Sequence, residues 1–272
     1  EPAGGALVGA VQLRWRAAQW PALHAWATPA AGGDCMVACG GWANGLHLHG
    51  GLRGAASAGA APAPAQLLPL LAHVTCVGAS DDGAFVAGFA DGSAAIFRPP
   101  AERAERGGGG GWPTELALRL CAHTAAVRAV AMHAGLGLAL TASADGSAVL
   151  SDALTGAHVR SLCHPTLAPL CAACLSGDGH VAIYSADDRV LRLFSINGEP
   201  LGALALRTAR LCCLCATQSS GAGAIVVADD AGGLSARRSH DLSLLARLAD
   251  AGCAVTSAAI RERADGQLDV FG

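Results

Sequence analysis

Short apolar runs recur along the chain, and each ends in a small polar turn built on Asp. The turns are ADGS (90–93), ADGS (144–147), ADDR (186–189), ADDA (228–231) and ADGQ (264–267), with WANG (42–45) as a weaker sixth. From Asp145 to Asp187 is 42 residues, and from Asp187 to Asp229 is 42 again. The 54 residues from Asp91 to Asp145 are the same period enlarged by the insert AERAERGGGGG (101–111). The 36 from Asp229 to Asp265 mark a trimmed last unit. Between the turns lie RAVAM (128–132), LALTAS (138–143), AVLSD (148–152), HVAIYS (180–185), VLRLFS (190–195) and IVVA (225–228). No stretch carries a capped apolar stripe of helical period, so the chain reads as all-β.

A period near 42 residues with about four strands per unit predicts a β-propeller. Each small twisted sheet buries both faces only by stacking on its neighbours. The closing strands expected after the turns are VQLRW (11–15), LHLH (46–49), AAIF (94–97), AVLS (148–151), VLRLF (190–194), GLSAR (233–237) and LDVF (268–271). These amount to six blades in whole or part, plus one strand of a seventh. The whole of 1–272 reads as one repeat array with flexible inserts near 54–66 and 101–111. The uncharged stretch 54–80 is long enough to span a bilayer, but Pro62, Pro64 and Pro69 and its Gly/Ala-rich first half make it a loop leading into a strand.

Composition alters this picture in one respect. The 272 residues include 62 Ala, all 18 basic residues are Arg, and Ile appears five times. Within short strands and Asp turns, this Ala content reflects a coding bias laid over a β fold rather than Ala helices. Ala buries less area than Val and fits strands less well, so the core is expected to be thin. Net charge is −3 with 14% charged residues, which argues against a disordered tail and against a nucleic-acid binder. Eleven Cys lie in or beside apolar runs rather than in a dense disulfide pattern, so a reducing, cytoplasmic compartment is expected, with Cys used as a small core hydrophobe. The start, EPAGGALVGAVQLRW, has no secretory-leader pattern, and its opening Glu suggests a piece of a longer chain.

The repeat resembles the WD repeat, which carries a Gly-His near its start, a turn Asp and a closing Trp-Asp. His123 in CAHT sits at the Gly-His position, and Ser143 and Asp145 in TASADGS match the strand Ser and turn Asp. Ser151-Asp152 falls where Trp-Asp would be, and Phe97, Phe194 and Phe271 occupy the Trp position in other units. His73 and His164 are further relics of the Gly-His, and Asp188 belongs to the same turn set. The order of LRLFSINGEPLGAL (191–204), ACGGWANGLHLH (38–49), AHVTCV (72–77), the segment 121–162 and LADAGCAVTSAAI (248–260) is similar to the C-terminal propeller of neurobeachin-type BEACH-domain proteins. That resemblance implies a non-catalytic scaffold that binds proteins or peptides on a propeller face. It also implies a BEACH domain upstream, action in vesicle traffic and membrane dynamics, and only indirect contact with membranes. The alternative is a WD-repeat adaptor of a ubiquitin-ligase or chromatin complex.

Each candidate for chemistry has a plainer reading. His123, Ser143 and Asp145 could form a hydrolase triad, but no G-x-S-x-G elbow surrounds Ser143, and the WD resemblance makes them a structural hydrogen-bond network. Cys171 and Cys174 form one C-x-x-C pair, but Cys212, Cys213 and Cys215 do not supply the second knuckle of a zinc site. No cofactor or metal is therefore expected. Gly107–Gly111 lacks the Lys-Ser/Thr of a phosphate loop, Arg237-Arg238 is a lone dibasic pair, and Asp187-Asp188 and Asp229-Asp230 read as Asx turns. With Ser151 in place of a Trp, that blade is expected to be soft unless its neighbours fill the space.

Overall fold

The computed structural model describes residues 25–29, 35–41, 45–49, 66–69, 72–80, 82, 84–98, 115–206, 210–219, 221, 223–250, 259–262 and 268–271. These residues form antiparallel sheets in chain order. Blade 1 holds β1 (Ala25–Pro29), β2 (Cys35–Gly41), β3 (Gly45–His49) and β4 (Gln66–Pro69). Blade 2 holds β5 (Val74–Ala79), β6 (Phe85–Phe89), β7 (Ser93–Arg98) and β8 (Glu115–Cys121). Blade 3 holds β9 (Val127–His133), β10 (Leu138–Ser143), β11 (Ser147–Asp152) and β12 (His158–Cys163). Blade 4 holds β13 (Leu170–Leu175), β14 (His180–Ser185), β15 (Val190–Ser195) and β16 (Pro200–Ala205). Blade 5 holds β17 (Leu211–Ala216), β18 (Ala224–Asp229), β19 (Gly233–Arg238) and β20 (Leu244–Asp250). β21 (Ala259–Glu262) and β22 (Leu268–Phe271) pair as a hairpin after it.

This is the all-β WD-propeller architecture. Five four-stranded blades and one two-stranded unit are seen among the described residues. Six of the seven expected closing strands lie within the third strand of a blade or in β22. The seventh, 11–15, the insert at 101–111 and that expected near 54–66, up to residue 65, lie outside the described residues, and Gln66 already belongs to β4.

Strand alternation explains how a thin, Ala-rich chain holds together. Side chains on a strand point to opposite faces in turn, and here both faces are buried between blades. Leu138, Leu140 and Leu150 of blade 3 meet Leu170, Leu175, Val181 and Ile183 of blade 4 in one cluster. The other face of blade 4, with Cys174, Ala182, Tyr184 and Leu191, meets Ile225, Val227 and Leu242. Val86, Ile96 and Leu120 of blade 2 pack on Met132, Ala139 and Ala153 of blade 3. Each fully buried Leu or Ile contributes roughly 1.5–3 kcal/mol, which Ala cannot match. The load therefore falls on the few branched and aromatic residues. Phe97 stacks on its cross-strand partner Phe85 with ring centroids 4.8 Å apart.

Ser151, where the closing Trp is missing, is shut off from solvent beside a cluster drawn from two blades. Ser151 is 3% exposed and pairs with Ala139. Ala139 belongs to the cluster that Met132, Ile96 and Leu120 occupy. The Arg98 guanidinium also crosses from blade 2 to donate to the carbonyl of Ala153 at 2.8 Å.

One bond skips a blade. His133, at the end of β9, donates from Nε2 to the carbonyl of Gln218 in blade 5 at 2.6 Å, while its Nδ1 accepts from the Leu136 N–H. Gly177 of blade 4 lies beneath Gln218. A Cβ on Gly177 would come within 2.3 Å of that carbonyl oxygen.

Candidate functional site

The inner strands β5, β9, β13 and β17 all start at one end of the propeller. The crossover loops that feed them and the turns between second and third strands therefore lie on one face. His73, His123 and His164 precede three of these inner strands. The Asp turns face them.

In blade 3 the crossover carries a closed polar network. Ser147 donates its hydroxyl to Asp145 Oδ1 at 2.6 Å, and the Ser147 N–H reaches the same oxygen at 2.9 Å. With its one proton committed, Ser147 Oγ accepts from His123 Nδ1–H at 2.9 Å, and Asp145 Oδ2 lies 3.3 Å from the same nitrogen. His123 Nε2 then accepts from the Thr141 hydroxyl at 2.8 Å. The Thr124 N–H donates to Asp145 Oδ2 at 3.0 Å and ties down the loop. Burial lowers the His123 pKa below its ordinary 6.5, opposed by Asp145, so the imidazole is neutral in this frame. Burial would raise the Asp145 carboxyl, but the Ser147 hydroxyl and the Thr124 and Ser147 N–H groups outweigh it and hold it low.

Ser143 is not part of this relay. Its buried hydroxyl faces the carbonyls of Ala125 and Ala126 at 2.8 and 3.1 Å and accepts from the Asp145 N–H at 3.1 Å. No hydrogen bond joins Ser143 to His123. The hydroxyl that meets His123 is Thr141, one strand pitch away on the same face. Thr141 and Ser147 stand outside the His, Ser and Asp positions of the WD pattern. The repeated ADGS at 90–93 and 144–147 was the available signal for Ser147, because Ser93 likewise donates to Asp91 at 2.6 Å.

Blade 4 has the same crossover with different chemistry. Ile183 stands where Thr141 stands in blade 3 and offers no hydroxyl. His164 Nε2 pairs instead with Asp188 Oδ2 at 2.8 Å, and His164 Nδ1 accepts from the N–H groups of Thr166 and Ala168. Asp188 also takes a hydrogen-bonded ion pair from Arg192. Burial would raise this carboxyl, but Arg192, the Val190 N–H and His164 outweigh it and hold its pKa at about 2. Asp187 is exposed, and its side chain makes no hydrogen bond or ion pair among the described residues.

Blade 5 lacks the crossover His. There Asp229 binds the N–H groups of its own turn, Ala231 and Gly233, and Asp230 accepts from the Arg210 N–H. Phe97 is 1% exposed, and Phe194 packs on the cluster between blades 3 and 4. Phe271 ends β22, and its side chain lies outside the described residues.

The described cysteines fall into buried, half-buried and exposed sets, with Cys213 and Cys215 half-buried. Cys76 and Cys174 are buried, and burial pushes their thiols up to about 11 and about 12. The Cys215 thiol is raised by its contact with Cys213 and then by burial. Cys121, Cys163, Cys171 and Cys212 are exposed, so the expectation of Cys as core filler applies to only part of the set. Among the described residues no group of three or more His, Cys, Asp or Glu is placed to hold a metal, and no helix is long and apolar enough to cross a membrane.

Comparison with known proteins gives three kinds of match. Residues 114–265 match the model of the neurobeachin beta propeller domain. The BEACH domain-containing protein B of Arabidopsis thaliana is 30% identical over 144 residues, which is 53% of this chain but 5% of that protein. The crystal structure of Chaetomium thermophilum Sqt1 bound to the N-terminus of a ribosomal protein superposes with a TM-score of 0.60 at 18% identity, covering 82% of this chain and 61% of the other. The computationally designed Ika8 protein superposes with a TM-score of 0.58 at 17% identity, covering 93% of this chain and 73% of the other.

Proposed function

Because the chain belongs to the neurobeachin β-propeller domain family, we propose that it is a non-catalytic scaffold that presents loops of its crossover face to proteins or peptides. The observation that carries this reading is the use of the polar groups. His123, Asp145, His164 and Asp188 spend their hydrogen bonds on one another and on the loops they hold. Ser143 has no base beside it, so the nucleophile of a hydrolase is not assembled. In this reading His123, Ser143, Asp145 and Asp188 are positioning residues, and Phe97, Phe194 and Phe271 are packing residues.

Two similarities support the partner class. Sqt1 was crystallised with the N-terminus of a ribosomal protein, and the plant relative carries a BEACH domain in its name. The finer proposal is a cytoplasmic role in vesicle traffic, with the propeller as the partner-binding part of a longer BEACH-type protein.

The test is affinity capture from cell extract with native chain, heat-unfolded chain as control, and an esterase and peptidase screen alongside. Membrane-traffic proteins retained by the native chain alone are the expected result. Recovery of ubiquitin-ligase or chromatin subunits would move the reading to an adaptor. Turnover abolished by Ser143→Ala, with the circular dichroism spectrum unchanged, would replace it with an enzyme.

A further inference from the structure

Each four-stranded blade ends in an outer strand that pairs on one side only among the described residues. Such an edge offers its backbone N–H and C=O groups to any strand that can reach it, and proteins blunt it with short strands or charged side chains. The edges of this propeller are not blunted alike. β8 carries Arg119, β12 carries Arg160 and β20 carries Arg247, all exposed. β4 has only four residues and ends in Pro69. β16, with the sequence PLGALA, has six residues and no charge.

The register tells which groups of β16 are free. Arg189, left-handed at φ 57°, accepts the Leu206 N–H at 2.9 Å. Residues 189 and 206 continue the register of Val190 with Ala205, Leu191 with Leu204, Arg192 with Ala203 and Leu193 with Gly202. Bonded and unbonded pairs alternate along an antiparallel ladder. Leu204 and Gly202 therefore bond to β15, while Ala203 and Ala205 turn their N–H and C=O away from it. Neither backbone finds another partner among the described residues. Both residues are exposed, and their methyl side chains leave the edge open. Leu204 and Leu206 pack on the cluster between blades 4 and 5 and hold the strand in place. Leu201, the extra residue of the bulge opposite Leu193 and Phe194, is 40% exposed at the head of the same strand.

We propose that β16 pairs antiparallel with β16 of a second copy of this chain, about a two-fold axis through Leu204. Ala203 of each copy then lies opposite Ala205 of the other. Each of these two pairs exchanges N–H and C=O both ways, so four hydrogen bonds close the seam. The occupant is a second copy because the strand is its own complement. A two-fold contact asks only that one patch match itself, and here both bonding positions are Ala and no charge meets its like. β12 or β20 joined in the same way would bring two arginines into one short ladder. The two copies of blade 4 become one continuous sheet across the rim, and both crossover faces stay free. The proposal adds self-association to the partner-binding reading and does not depend on it.

The test is sedimentation velocity on the intact chain from about 1 to about 300 µM, the range in which so small an interface assembles. The mass rises reversibly from one copy toward two. Amide exchange at Ala203 and Ala205 slows over the same range, while exchange in the other outer strands does not change. Ala205→Pro removes an N–H that β15 does not use, so the circular dichroism spectrum and Tm hold while association weakens at least about tenfold. Leu204→Pro removes a ladder N–H instead and lowers Tm. Ala203→Lys puts a charge on the edge, weakens association as strongly, and decides the matter where the proline variant fails to fold. A chain that stays single throughout, or a dimer that Ala203→Lys and a folded Ala205→Pro leave intact, overturns the proposal. Protection of the two amides by a captured partner alone, without a dimer, gives the edge to that partner's strand and also overturns it. The scaffold reading falls separately, only if the native chain retains no partner from extract.

Discussion

His123 and His164 occupy the same step in successive blades, and the chain holds them in different ways. In blade 3 the imidazole lies between two hydroxyls, Thr141 and Ser147, with Asp145 behind. In blade 4 it lies against a carboxylate that also binds Arg192. The difference starts at one strand position, Thr141 against Ile183. A hydroxyl there gives the ring nitrogen a neutral partner, and a hydrocarbon leaves the nitrogen to seek a charge. The turn completes the change. Three residues join β10 to β11, but four join β14 to β15, which brings Asp188 rather than Asp187 into the place of Asp145. One blade is thus closed by hydroxyls on both ring nitrogens and the next by a carboxylate shared between an imidazole N–H and a guanidinium, with the same backbone path.

The largest expected effect tests the contact between the two junctions. Gly146→Ala puts a Cβ within 2.5 Å of Leu167 backbone at a φ of 84°, and should cost about 3 kcal/mol or more in urea unfolding. Gly137→Ala, with φ 64° but no atom within 4 Å, should cost only about 1–2 kcal/mol. Equal costs would show that the close approach to Leu167 is unimportant.

Thr141→Val removes the donor to a buried imidazole and should cost about 1–3 kcal/mol by the same measurement. Ile183→Thr tests the converse. If His164 then turns to the new hydroxyl, Asp188→Asn becomes less costly in that background than in the native chain, and a double-mutant cycle reads the difference. An unchanged cost would mean that Ile183 does not decide the partner.

Acid separates the junctions without mutation. The folded pKa of His123 lies below 6.5, so its contribution to stability is complete above pH 6.5 and declines as pH falls through the lowered value. Asp188 lies near 2 instead of 3.8, so its contribution persists until about pH 3.8 and is lost toward pH 2. Hydrogen exchange, corrected for intrinsic rates, should show residues 122–147 losing protection as the pH falls below 6.5, while 164–192 stay protected down to about pH 3.8. The reverse order would contradict the assignment of the two junctions.

The smallest effect is expected at Asp187. Asp187→Ala should change stability by no more than about 0.5 kcal/mol, because no side-chain partner depends on it. Asp188→Ala should cost about 1–3 kcal/mol, since it strips partners from both His164 and Arg192. Similar values for the two would erase the register difference between the turns.

Much of this fold was legible because Asp turns and alternating apolar runs are local signals. The third strands follow from the spacing of the Asp turns alone. The polar network was legible only in part. Thr141 and Ser143 are two residues apart and share a strand face, so alternation cannot say which one meets His123. Where the turn lengthens by one residue in ADDR, the period of 42 runs through Asp187, and Asp188, named with the turn set, is the one the hydrogen bonds use. The strain at Arg189 left no mark, because Gly is the residue that announces a left-handed turn and here it is missing. The cluster around Ala139, the strand partner of Ser151, is built from Met132 and from residues of blade 2, which the sequence of that strand does not contain.

The bond from His133 to Gln218 changes how such an array should come apart. A row of repeats that touch only their neighbours unzips one unit at a time, and each unit's loss is felt one step away. A link from the third unit to the fifth introduces coupling between second neighbours. Blade 4 cannot open alone without straining that link, and loss of blade 5 is felt directly in blade 3. Blades 3 to 5 should therefore melt as one cooperative block.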